Sequence, residues 1–153
     1  MTRYVTLDTG IVGLLCSSPS LPDVTDCFQS LARMDQAGVI VVLPDVALYE
    51  VRRELVRLGA HAKLARLEAL RNSLSSAAVT QEAWLKAADF WAFVRKAGLP
   101  TADPHALDGD ALLAGVAATI GAPGDVATIA TGNVGHLARF PGIDARDWRS
   151  ITC

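Results

Sequence analysis

The sequence has few of the side chains that build metal clusters or disulfide frameworks. Its 153 residues include only three cysteines and three histidines. Cys16, Cys27 and Cys153 are widely separated, form no C-x-x-C pair and are odd in number, so we expect reduced structural thiols. Because the histidines are equally scattered, no His/Cys set has the short spacing of a zinc site.

Long apolar runs and an excess of positive charge are also missing. The longest branched apolar run covers residues 39–43, whereas a membrane span needs roughly 20 apolar residues. Residues 1–7 lack the pattern of an export signal, so we expect no membrane association and a cytoplasmic location. A net charge of −2 gives no global positive field, and any nucleic-acid binding would therefore depend on local features.

The composition that remains is that of a globular protein, with 51% hydrophobic and 20% charged residues. The length predicts one domain over residues 1–153. β-Branched or apolar runs predict strands at residues 4–7, 39–43, 126–131 and 148–152. Helical periodicity predicts helices at residues 21–37, 45–58, 60–74, 81–96 and 108–120, with a further helix after Asp8.

This alternation of strands and helices predicts an α/β fold with a central, mostly parallel sheet flanked by helices on both faces. In such sheets, functional side chains gather at the carboxyl ends of the strands. Asp8 directly follows the first predicted strand, and Thr131 and Asn133 lie at the end of the strand at 126–131. We therefore expect these residues to share one edge of the sheet.

Several acidic residues could contribute to a site at that edge. Glu50 lies beside the apolar stripe of helix 45–58, and Asp108 and Asp110 lie in the predicted first turn of helix 108–120. Each residue also has an ordinary explanation, because Asp8 could cap a helix, Glu50 could be a solvated helix acid, and first-turn carboxylates are favoured by the helix dipole. Asn133 could lie in an ordinary turn.

The combination of these residues favours a metal site over the separate explanations. Mg²⁺ and Mn²⁺ prefer several oxygen ligands, which carboxylates supply. An EF-hand calcium loop is excluded, because the order of acids and the late Glu are missing around Asp108.

Four blocks of the sequence resemble the signature blocks of PIN-domain nucleases, a family that includes bacterial VapC-type toxins. The blocks are YVTLDTGIVGLL, LPDVALYEVRREL, LDGDALLAGVA and TIATGNVGHLARF. Their order and spacing agree with the family across nearly the whole chain.

The resemblance implies a ribonuclease that uses Mg²⁺ or Mn²⁺, with Asp8, Glu50 and Asp110 as metal ligands. Asp108 is an extra acid that could add a ligand or hold a water molecule. Asn133 stands where a fourth acid often follows the last central strand, which weakens the case for a second ion. The implied partners are RNA, a small antitoxin protein and a second copy of the chain in a homodimer.

Other interpretations remain beside this one. A PIN-like domain made inactive by Asn133 could be a non-catalytic module that binds RNA or a protein. The LDTG sequence at Asp8 also occurs in aspartic proteases, but those are all-β proteins. Arginines and lysines between residues 45 and 71 could follow a phosphate backbone or form a solvated face. The aromatic residues Trp84, Phe90, Trp91 and Phe93 are predicted to make core or dimer contacts.

Overall fold

The computed structural model describes residues 1–98 and 104–152. The strands in this part of the chain are β1 (Arg3–Leu7), β2 (Ile40–Pro44), β3 (Ser75–Ala77), β4 (Val126–Thr131) and β5 (Asp144–Asp147). The helices are α1 (Thr9–Leu15), α2 (Pro22–Gln36), α3 (Asp45–Leu58), α4 (His61–Ser73), α5 (Gln81–Lys96), α6 (Pro104–Thr119) and α7 (Val134–Ala138). Of the helices described, none is both long enough and apolar enough to cross a membrane.

The strands form one parallel sheet in the order β3-β2-β1-β4-β5. β1 lies at its centre, where Val5 pairs with Val41 of β2 and with Thr128 of β4. Parallel neighbours need crossover connections, and the intervening helices supply them. The predicted α/β fold with a helix-covered central sheet is confirmed, and its described strands are all parallel.

The helices cover both faces of the sheet because side chains alternate along each strand. Val5 and Leu7 of β1 belong to a core cluster formed with α1, α2, α3 and α4. Ile129 of β4 points to the other face and packs in a second cluster with α5, α6 and α7. Both faces of the central strands are buried, which explains their continuous runs of apolar residues.

Two thiols lie inside this core. Cys16 and Cys27 are free and buried, as expected of reduced structural cysteines. Burial raises the pKa of each thiol to about 11. Cys153 lies outside the described residues.

The strand predicted at residues 148–152 is wrong. Trp148–Ser150 form a short 3₁₀ helix, and the last strand is instead Asp144–Asp147. This strand lies at the edge of the sheet and pairs through its backbone with β4 alone, so its polar side chains can remain in solvent. Trp148 is buried in the core from the 3₁₀ helix, which accounts for the apolar character that suggested a strand.

The predicted start of helix 108–120 is also wrong, because α6 begins at Pro104. Proline is favoured at the first position of a helix, where its missing N–H is not needed. Asp108 and Asp110 therefore lie inside the helix and not in its first turn. The helix dipole does not explain these two carboxylates.

Candidate functional site

Asp8 is held at the carboxyl end of β1 by contacts with two chain segments. Its backbone N–H donates to the Ala130 carbonyl at 3.0 Å, which extends the pairing of β1 with β4. Its Oδ1 accepts from the Thr9 backbone N–H at 2.7 Å, and its Oδ2 accepts from the Thr131 hydroxyl at 2.7 Å. Asp8 is thus the N-cap of α1 and also a fixed carboxylate at the sheet edge.

Glu50 reaches the same edge from α3. Its Oε1 accepts a hydrogen bond from the Thr9 hydroxyl at 3.0 Å, and its Oε2 lies 3.8 Å from the Arg53 guanidinium. The carboxylate also lies directly against Gly109 of α6, where a β-carbon would be only 2.9 Å from Glu50 Oε2. Because Gly109 has no side chain, the Glu50 carboxylate has room to lie against α6.

Asp110 completes a cluster of three carboxylates. Burial, followed by the negative charge of Asp8, raises its pKa to about 6, and Glu50 adds a smaller effect in the same direction. Arg139 and His136 oppose this rise, from 3.3 Å and 4.0 Å respectively. Thr9 donates to both Asp8 and Glu50, and Glu50 lies against Gly109 beside Asp110, so residues 8, 50 and 110 approach one another although they are far apart in sequence.

The donors in this cluster suit a hard divalent cation, since they are all carboxylate oxygens close to neutral hydroxyls. Burial and then the charge of Asp8 raise the pKa of Asp110, and a bound cation would favour its ionised form. In the side-chain positions described, however, no group of three or more His, Cys, Asp or Glu residues is already arranged to hold an ion. Asp110 instead contacts Arg139, so binding of a cation would have to compete with that contact.

Asp108 is not brought into the cluster. It is two residues from Asp110 in α6, which turns the two side chains about 200° apart around the helix axis. Asp108 is exposed and lines a shallow cleft with Trp84 and Trp91.

Asn133 follows Thr131, a neighbour of Asp8, by two positions, and its side chain is exposed. Its backbone N–H donates to the Thr131 hydroxyl at 2.9 Å, the same hydroxyl that donates to Asp8. Asn133 precedes α7, and its side chain makes no capping hydrogen bond there. It therefore belongs to the sheet edge of the site through its backbone.

Sequence reasoning missed three residues that shape the cluster, namely Thr9, Gly109 and Arg139. The Thr9 hydroxyl joins α1 to Glu50, Gly109 makes room for that carboxylate, and Arg139 contacts Asp110. The proximity of Thr9 to Asp8 and of Gly109 to Asp110 was the available signal. Arg139 lies 29 positions from Asp110, so only the fold could show its contact.

Two other features lie away from the carboxylates. Arg57 and Arg71 pair with Glu54 and Glu68 on the exposed surface of the α3–α4 region, which supports the interpretation as a solvated face. A groove of about 820 Å³ lies between α2 and α4 near the start of β2, and none of the five predicted site residues lines it.

The fold and the site define this chain as an α/β domain with a parallel sheet and an acidic cluster at the carboxyl ends of its central strands. No family model matches the chain, and no curated protein matches it.

Solved structures of similar fold do match. A chain of DNA-bound VapBC from Salmonella typhimurium is 21% identical with a TM-score of 0.72, covering 97% of this chain and 99% of that one. A chain of VapBC-1 from nontypeable Haemophilus influenzae is 16% identical with a TM-score of 0.72, covering 96% and 99%. A chain of FitAcB from Neisseria gonorrhoeae is 17% identical with a TM-score of 0.66, covering 96% and 99%. The predicted PIN-like fold is confirmed.

Proposed function

We propose that this chain is a PIN-domain ribonuclease that hydrolyses RNA phosphodiester bonds with Mg²⁺ or Mn²⁺. The observation that carries the proposal is the approach of Asp8, Glu50 and Asp110 to one edge of the sheet: Thr9 donates to both Asp8 and Glu50, and the Glu50 carboxylate lies against Gly109, the neighbour of Asp110 in the chain. Burial, followed by the negative charge of Asp8, disfavours ionisation of Asp110 at this position. Such unfavourable charge clusters are typical of functional sites.

Asp8, Glu50 and Asp110 would hold the metal ion. When bound, the ion lowers the pKa of a water molecule and neutralises charge on the phosphoryl oxygens. The Thr9 and Thr131 hydroxyls donate to Glu50 and Asp8 and so hold these carboxylates in place. Glu50 Oε2, the oxygen that Thr9 does not contact, is the proposed acceptor of the proton from the attacking water.

We also propose that the chain is the toxin of a toxin–antitoxin pair and that a small antitoxin protein binds it. This assignment is supported by the resemblance of the four sequence blocks to VapC-type toxins and by the structural likeness to chains of VapBC and FitAcB complexes. The resemblance further implies a homodimer.

The direct test is cleavage of labelled RNA by the purified protein with Mn²⁺, with EDTA, and with the variant Asp8→Asn. We expect cleavage with Mn²⁺ and its loss in both other conditions. Asp89→Asn, an exposed acid on α5, is the matched control and should cleave as the wild type does. Cleavage that neither EDTA nor Asp8→Asn reduces would refute the metal mechanism.

The arrangement of Arg139 supports a second candidate, a domain that binds RNA or a protein without cleaving. Arg139 contacts Asp110 at 3.3 Å, and Asn133 stands in the place of a fourth acid. Both features reduce the net negative charge that would attract a cation. Calorimetric titration with Mn²⁺ separates the two candidates. A nuclease should bind Mn²⁺ and lose that binding in Asp110→Asn, whereas a binding module should show no metal binding and leave RNA intact.

A further inference from the structure

One of the basic residues at the acidic cluster is buried. Three basic side chains contact carboxylates of the cluster in the described part of the chain, namely Arg53, His136 and Arg139. The side chains of Arg53 and His136 are 57% and 46% exposed, so water and salt screen any charge that they carry. The Arg139 side chain is 9% exposed, and a guanidinium stays protonated in proteins. Arg139 is therefore a permanent positive charge inside the site.

The neighbours of the Arg139 guanidinium hold it in place. Its Cζ lies 5.5 Å from the centroid of the Phe140 ring, within the range at which a cation is attracted to an aromatic face. Phe140 is buried and packs against Phe90 of α5, with 5.4 Å between the ring centroids. Arg139 Nη2 also lies 3.3 Å from Asp110 Oδ2. Because the second core cluster anchors Phe140, we expect the guanidinium to stay beside Asp110.

Arg139 belongs to the segment in which the resemblance places a fourth acid. That segment follows β4 and contains α7, with Asn133 directly before the helix and Arg139 directly after it. Asn133 stands at the position of the fourth acid and carries no charge. The segment that would add a negative charge to the site therefore adds a positive charge instead.

The contacts described for the Asp110 carboxylate involve one of its two oxygens. Arg139 Nη2 and His136 Nδ1 lie 3.3 Å and 4.0 Å from the same oxygen, Oδ2. A metal ion competes with Arg139 for the charge of Asp110, and it can do so through Oδ1 while Arg139 keeps Oδ2. A carboxylate that joins two ions usually offers one oxygen to each. The contact with Arg139 therefore leaves Asp110 suited to a single ion.

Building on the proposed metal-dependent function, we propose that Arg139 takes the place of a second metal ion, so that the cluster holds one divalent cation per chain. The three acids carry three negative charges when ionised, and the charge of Arg139 leaves two, which one divalent ion balances. In two-ion sites the ions lie about 3.5–4 Å apart. A second ion would therefore lie close to the buried guanidinium, where their repulsion is weakly screened.

The first test counts Mn²⁺ ions per chain by calorimetric titration and by electron paramagnetic resonance. Wild type and Asn133→Asp are compared, because Asn133→Asp adds a fourth acid at an exposed position while Arg139 stays in place. We expect one Mn²⁺ per chain in both proteins, with the spectrum of an isolated ion. Two ions per chain in either protein, with the spectrum of spin-coupled ions, would overturn the proposal.

The second test removes the positive charge. In the Asn133→Asp background, Arg139→Gln should raise the Mn²⁺ count from one to two per chain, whereas Arg139→Lys keeps the charge and should stay at one. Arg146→Gln is the matched control and should also stay at one, because Arg146 is an exposed arginine of β5 that pairs with Asp144. One ion per chain in an Arg139→Gln variant that is folded by circular dichroism would show that Arg139 does not exclude a second ion.

Ion counting and RNA cleavage can fail separately. One Mn²⁺ per wild-type chain without cleavage of RNA would refute the nuclease and support the role of Arg139. Cleavage by a wild-type chain that holds two ions would support the nuclease and refute the role of Arg139. A wild-type chain that binds no Mn²⁺ would refute both. The first test changes nothing at residue 139, so it remains decisive if Arg139→Gln does not fold.

Discussion

Gly109→Ala should separate the stability of the protein from the function of its acidic cluster. A β-carbon at this position would lie 2.9 Å from Glu50 Oε2, 3.1 Å from Oε1 and 3.2 Å from Cδ. All three contacts are with the end of a flexible side chain, so the carboxylate can move away while the backbone of α6 stays in place. We therefore expect a displaced Glu50 in a normally folded protein.

The expected change in the free energy of unfolding is close to zero. Alanine is favoured over glycine inside a helix by roughly 0.5–1 kcal/mol. The displaced carboxylate would lose its hydrogen bond from the Thr9 hydroxyl, which is worth roughly 1 kcal/mol. These two effects offset one another, whereas cleavage of RNA should fall about 10- to 100-fold because Glu50, a proposed metal ligand, would move.

Two other glycines provide controls for the urea unfolding and RNA cleavage assays. Gly115→Ala on the same helix would place a β-carbon 2.5 Å from the Ala83 carbonyl, which belongs to rigid backbone, and should lose roughly 1–3 kcal/mol of stability. Gly13→Ala in α1 meets no atom within 4 Å and should keep full activity. If Gly109→Ala cleaves RNA as well as the wild type, the position of Glu50 is unimportant and the reasoning fails.

Three further predictions concern titrating and site residues. In EDTA, Asp110→Asn should be more stable than wild type by up to about 3 kcal/mol at pH 8, because the pKa of Asp110 is raised from 3.8 to about 6 and each pKa unit corresponds to about 1.4 kcal/mol. Since the ionised form is the disfavoured one, this difference should shrink towards zero as the pH falls to about 4, and urea unfolding that shows a pH-independent gain would contradict it. Asn133→Asp should tighten Mn²⁺ binding in calorimetric titration by adding a carboxylate at the sheet edge, and unchanged affinity would show that residue 133 is not near the ion. Burial raises the pKa of the Cys16 and Cys27 thiols to about 11, so both should resist iodoacetamide at pH 8 until urea is added. Mass spectrometry locates the label, and rapid labelling of these two residues in the native protein would disprove their burial.

The parts of the fold that local sequence patterns predicted are those where one physical signal dominates. The bounds of α3, α5 and β4 agree with the predicted ranges. In α3 an apolar stripe ends at Gly59, which adopts the left-handed conformation with φ of 64°. Glycine reaches that conformation without steric cost, so it marks the helix end in the sequence as well as in the structure.

The errors occurred where a tertiary contact overrides the local signal. Asp144–Asp147 contains little that is typical of a strand, but the exposed edge of β4 offers hydrogen bonds to its backbone. Trp148 has the apolar character of a strand residue, yet it is buried from a 3₁₀ helix. At α6, Pro104 is a local signal for the earlier start, whereas the predicted start was placed at Asp108.

For the site, the sequence by itself determined which oxygen donors were available and that Asp8 would follow a strand, whereas the central position of that strand emerged from the sheet order. The position of that strand is encoded locally, in its run of β-branched residues and the polar residues that end it. Residues 108 and 110 point in opposite directions because they lie two positions apart within α6. Only the tertiary structure decided that Glu50 lies against Gly109 and that Arg139 contacts Asp110, because these contacts join residues from helices that meet only after the sheet has formed.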